Sequence, residues 1–82
     1  LPNSLLSIKN SAFTYCEALT QVVLPNSLIS IEESAFSHCK SITTITIPEN
    51  VLEVGEDAFN RCDTLLHIHV LSPNKINKSA FG

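Results

Sequence analysis

The sequence predicts a mostly β solenoid of stacked 23-residue coils, and three coincident periods predict it. Pro2, Pro25 and Pro48 recur at one fixed interval. Cys16, Cys39 and Cys62 keep the same interval, and so do the pairs Ala12-Phe13, Ala35-Phe36 and Ala58-Phe59. The first two repeats are identical at about half of their positions; the third keeps their apolar skeleton while its polar positions drift. A fourth begins at Val70 and reaches Ala80-Phe81 one residue short of that register. The chain thus reads as one unit over 1–82, with coils 1–23, 24–46 and 47–69 and a partial coil 70–82, and as a piece of a longer repeat protein.

Each coil opens with a turn at its proline, which has no N–H for a sheet ladder and ends the strand before it. The next apolar columns are Leu5/Leu28/Val51 and Ile8/Ile31/Val54, followed by the Ala-Phe pairs. Their spacings of three and four imitate an amphipathic helix. A proline in each full repeat limits any such helix, and the rest of the coil carries strand chemistry. That strand signal is L-x-x-V-x-L at 19–24, I-x-x-I-x-I at 42–47 and L-x-x-I-x-V at 65–70, alternating and rich in β-branched residues. Parallel strands are therefore expected near 20–24, 43–47 and 66–70. One coil cannot bury its own inward side chains, so coils must stack and identical residues must form columns. Phe13, Phe36 and Phe59 become an aromatic spine opposite the strands. Glu17, Lys40 and Asp63 become a charged column of alternating sign.

Composition narrows the function. Apolar residues make up 44% of the 82, charged residues 16%, and the formal net charge is −3. The chain is too apolar for a disordered tail, and it has no basic cluster for nucleic acid or an anionic membrane. Its longest purely apolar run, Val22–Leu24, is far too short to span a bilayer.

The L-x-x-I-x-I-P strand followed by x-x-x-I-x-x-x-A-F-x-x-C, at a 23-residue period over essentially the whole chain, resembles the BspA-type leucine-rich repeats. The resemblance implies an α/β-type, mostly β solenoid: a right-handed coil with a parallel sheet on the concave face and short strands or 3-10 turns on the convex face. It further implies a non-catalytic module for recognition or adhesion, at the cell surface or secreted. The alternative is an internal scaffold subunit of a larger cytoplasmic assembly. The chain departs from the family pattern at Lys9 and Glu32, which replace the glycine that the third repeat keeps as Gly55.

The remaining chemistry reads as structural. Zinc clusters need closely spaced cysteines, whereas Cys16, Cys39 and Cys62 lie a whole repeat apart. Parallel inward side chains are poorly aimed for disulfides, so the three form a reduced inward column of small hydrophobes. His67 and His69 flank inward Ile68 and share one strand face, two imidazoles without a third metal ligand. Serine, histidine and aspartate occur without a G-x-S-x-G turn, and two glycines cannot build a phosphate-cradling loop. Glu32, Glu33, Glu53, Glu56 and Asp57 gather on the convex side, and Asn77-Lys78-Ser79 is a glycosylation sequon. No catalytic residue, metal or cofactor is expected.

What remains is surface. The outward strand positions are Gln21 and Val23, Thr44 and Thr46, and His67 and His69, where the repeats change chemistry while the skeleton holds. This pattern suits a face for a protein ligand. Neighbouring repeats or partner chains are expected to cover both ends, because end coils expose the columns that inner coils bury.

Overall fold

The structure is a computed structural model that describes residues 3–73 and 78–81. Leu1, Pro2, the sequon residue Asn77 and Gly82 lie outside the described residues. Along the chain run β1 (Ser7–Ile8), β2 (Ser30–Ile31), β3 (Thr44–Ile47), β4 (Glu53–Val54), β5 (His67–Val70) and a 3-10 turn (Lys78–Phe81). The helix-like spacing over 26–40 forms a turn, then β2, then further turns.

The strands make two parallel sheets, one of order β1-β2-β4 and one of β3-β5. Ser7 pairs with Ser30 and Ser30 with Glu53; Thr44 pairs with His67 and Ile47 with Val70. Each pairing advances by one sequence period, which thereby becomes the coil repeat. Both sheets send their inward residues into one core, with Leu28, Ile31, Phe36, Ile42, Ile45, Ile47 and Val51 all at 1% exposure or less. The proline turns are as the sequence requires: Leu28 N donates to Pro25 O at 3.0 Å and Val51 N to Pro48 O at 3.3 Å.

The expected strand near 20–24 does not form. Beneath it lies a cavity of about 140 Å³ lined by Phe13, Leu19, Gln21, Val22, Val23 and Phe36. Val22 is one methylene smaller than Ile45 and Ile68 in the same column, and its neighbour Val23 is 78% exposed. Alternation is present here, but the packing that would seat the strand on β3 is not.

Between the short strands and the cysteines the backbone follows a rule of its own. In the second coil, the amides of Ala35, Ser37 and Cys39 donate within the coil to Glu32, Ser34 and Phe36 carbonyls. The intervening amides of Ser34, Phe36 and His38 donate to Glu56, Ala58 and Asn60 of the next coil, at 3.1, 2.7 and 2.7 Å. Coil one repeats this with Ser11, Phe13 and Tyr15 donating to Glu33, Ala35 and Ser37. Alternate peptides must therefore face along the solenoid. The chain achieves this with left-handed residues at Ser11, Tyr15, Ser34, His38, Asp57 and Arg61, all with φ between 56° and 61°. Each costs on the order of 1 kcal/mol for a residue with a Cβ. The inter-coil hydrogen bond that the turned amide then makes offsets that cost.

The same geometry stacks the phenylalanines. Phe13–Phe36, Phe36–Phe59 and Phe59–Phe81 have ring centroids 5.2, 5.4 and 5.6 Å apart and planes within 16° of parallel. Phe81 joins although it is one residue short. Asp57 N donates to Ser79 O and Phe59 N donates to Ala80 O. The donors advance by two positions while the acceptors advance by one, so the missing residue is absorbed between these two bonds.

The charged column behaves differently from its expectation. Glu17, Lys40 and Asp63 are exposed, and none stands in an ion pair with its column neighbour. Water solvates these side chains as well as a neighbour would, so the alternation of sign does not hold them together. The ion pair among the described residues is Lys9–Glu32 at 3.6 Å, on the other sheet.

Candidate protein-binding face

The register of β3 and β5 fixes the surface that the sequence singles out. Thr44 lies beside His67 and Thr46 beside His69, all four exposed, while Ile45 between the threonines is 1% exposed. Alternation along the strand does this: successive side chains point to opposite faces. Gln21 and Val23 are also exposed, but they precede the sheet without joining it, and Val23 is 78% exposed. The structure thus brings four of the six outward residues onto one hydrogen-bonded sheet and leaves two on the unpaired stretch at its edge. Ile68 and Val70 are 42% and 44% exposed, since β5 has a strand on one side only.

His67 and His69 present two imidazoles to solvent on one face. Among the described residues no three His, Cys, Asp or Glu side chains converge as a metal site would need. Also among the described residues, no helix is long and apolar enough to cross a membrane.

The cysteines are free, with Cys39 buried and Cys16 and Cys62 half-buried. They do more than fill space. Cys39 Sγ donates to Phe13 O at 3.0 Å, and Cys62 Sγ donates to Phe36 O at 3.2 Å. The Phe13 and Phe36 carbonyls thereby each receive the amide of their own coil's cysteine and the thiol of the next coil's. Burial pushes the Cys39 thiol up from its ordinary value and the Cys62 thiol to about 11, so both stay protonated donors and poor nucleophiles at neutral pH.

Two further arrangements escape sequence reasoning. Tyr15 and His38 stack at 4.3 Å with planes 12° apart, on the left-handed column that Arg61 completes. Their common register position was the available signal. On the β1–β2–β4 sheet, Ser30 Oγ donates to Ser7 Oγ at 2.9 Å and Ser7 Oγ to Glu32 Oε2 at 3.0 Å. The Ser7 hydroxyl, with the Asn10 amide and Lys9, holds the Glu32 carboxyl below its usual range. These contacts tie coil one to coil two and create no reactive group.

With this geometry in view, comparison with known proteins is decisive. The profile of the BspA type leucine rich repeat region (6 copies) matches residues 1–82. The chain belongs to the BspA-type leucine-rich-repeat family. The crystal structure of a leucine rich cell surface protein from Faecalibacterium prausnitzii A2-165 is similar at 37% sequence identity and a TM-score of 0.85. That likeness covers 89% of this chain and 19% of the other, so the coils here span about a fifth of that relative. No curated protein matches the chain. The general role of the leucine-rich-repeat family is that of a non-catalytic interaction or adhesion module, and in this chain the coil is built of two sheets, proline turns and a phenylalanine stack.

Proposed function

We propose that these coils belong to a cell-surface recognition or adhesion protein and contribute a protein-binding face made of Gln21, Val23, Thr44, Thr46, His67 and His69. The observation that carries this reading is the contrast within β3 and β5. Thr44, Thr46, His67 and His69 are exposed at fixed strand spacing, above a core in which Ile45 and Ile47 are at 1% exposure or less. A rigid backbone presenting interchangeable side chains can be fitted to a partner without disturbing its own fold. The cell-surface setting is supported by the description of the F. prausnitzii relative. A stable interface needs roughly 800 Å² per partner, more than a two-stranded sheet offers, so neighbouring coils extend the face. The half-exposed Ile68 and Val70 are the residues that a following coil or a partner chain would cover.

The test is binding of the labelled full protein to a panel of purified extracellular proteins, measured by fluorescence anisotropy. Replacing Thr44, Thr46, His67 and His69 together by glutamate is expected to reduce saturable binding about tenfold, as loss of a central contact cluster does. Replacing exposed Ser4, Asn10 and Asn50 elsewhere on the coils is expected to leave it unchanged. Equal loss in both variants, or no loss in the first, would contradict the assignment.

A further inference from the structure

A second surface lies on the β1–β2–β4 sheet. Each full coil leaves one large aliphatic side chain in solvent immediately before its short strand: Leu6, Ile29 and Leu52, at 58%, 41% and 64% exposure. They form a single column. Ile29 N donates to Leu6 O at 2.8 Å and Leu52 N to Ile29 O at 2.7 Å, which holds the three side by side at strand spacing. The core does not require them, because Leu5, Leu28 and Val51, one residue earlier, already point inward. Solubility argues against them, and the next column, Ser7, Ser30 and Glu53, is polar. A continuous exposed apolar stripe of this kind marks a contact surface.

Acidic charge on the same sheet and in the turns that follow its strands selects what fits it. Glu53 follows Leu52 on β4 and pairs with Ser30. Glu33 and Glu56 are exposed in the turns just beyond the ends of β2 and β4, one sequence period apart, and the Ser34 amide donates to Glu56 O at 3.1 Å. Glu32 adds a carboxylate that Lys9 partly offsets at 3.6 Å. Nucleic acid or an anionic membrane would meet carboxylates here. A second copy laid face to face would set these acids against one another, and like charges in contact are unfavourable.

We infer that the outer side of the β1–β2–β4 sheet docks a basic amphipathic segment of another protein. Its apolar side chains cover Leu6, Ile29 and Leu52, and its lysines or arginines meet Glu33, Glu53 and Glu56. This surface is separate from the β3–β5 face and stands or falls independently of it.

The experiment is fluorescence anisotropy with labelled octapeptides of alternating Lys-Leu, Lys-Ser and Glu-Leu, titrated with the full protein. The Lys-Leu peptide is expected to bind about tenfold more tightly than either control. The triple variant Leu6→Ser, Ile29→Ser, Leu52→Ser should lose that advantage while keeping its melting temperature. The variant Glu33→Gln, Glu53→Gln, Glu56→Gln should weaken binding and flatten its salt dependence. Equal binding of Lys-Leu and Lys-Ser would overturn the proposal, since charge alone would then explain the affinity. Equal binding by the serine variant would overturn it too, as would sedimentation showing that the stripe drives self-association.

Discussion

Phe36→Ala is expected to destabilise the protein by about 3–5 kcal/mol, the range for removing a buried aromatic side chain and leaving a cavity. Phe36 is fully buried, with Phe13 on one side at 5.2 Å and Phe59 on the other at 5.4 Å. Removing its ring therefore breaks two stacking contacts and opens a hole that neighbouring coils cannot close. Their spacing is set by backbone bonds, Phe13 N to Ala35 O at 2.8 Å and Phe36 N to Ala58 O at 2.7 Å. Phe81, half-buried and stacked on Phe59 alone among the described rings, should cost much less on the same substitution. Denaturant unfolding of the two variants checks this, and equal shifts in midpoint would contradict a load shared along the column.

Gly55→Ala is expected to be the next most damaging change, at about 1–3 kcal/mol, the usual range for forcing extra volume into a packed site. A Cβ at this position would press on the Glu33 amide nitrogen and lie 2.7 Å from Glu32 C and 2.8 Å from Glu33 Cα. These are backbone atoms, which cannot swing aside as the end of a side chain could. Gly55 is also tied to coil two by its own amide, which donates to Ile31 O at 2.6 Å. The clash can be relieved only by parting the coils. Lys9 and Glu32 occupy the same column in the earlier coils, so the requirement for glycine belongs to the contact between coils two and three. Glu53→Ala, two residues away and exposed, is the control and should stay within about 0.5 kcal/mol of the parent. A Gly55→Ala protein that melts with the control would show that the coils are not held this closely.

The parts of this fold that were legible in the sequence are those in which one residue type does one job in every coil. Proline turns, the phenylalanine column and the inward Leu28, Ile31, Ile42 and Ile45 all follow from a 23-residue period and elementary burial. The exposure of Thr44, Thr46, His67 and His69 follows from strand alternation. The absence of a strand at 20–24 does not, because its alternation matches that of β3, yet the segment stays outside the sheet with Val23 in solvent. The two left-handed columns, Ser11/Ser34/Asp57 and Tyr15/His38/Arg61, were hidden because no glycine among them announces a positive φ. Thiol donation by Cys39 and Cys62 was hidden for another reason: the accepting carbonyl belongs to the preceding coil and becomes a neighbour only after stacking. The Leu6–Ile29–Leu52 stripe was masked by adjacent Leu5, since two aliphatic residues in succession read as core until the backbone shows which one points outward.

Stacking of the coils in fixed register is tested most directly by NMR couplings transmitted through hydrogen bonds. The Phe36 amide donates to Ala58 O at 2.7 Å, and the Phe13 amide donates to Ala35 O at 2.8 Å. Couplings from the nitrogens of Phe13 and Phe36 to the carbonyl carbons of Ala35 and Ala58 are the predicted result. Couplings from these amides to carbonyls one helical turn earlier in the chain, the signature of a helix, would contradict the stacked solenoid.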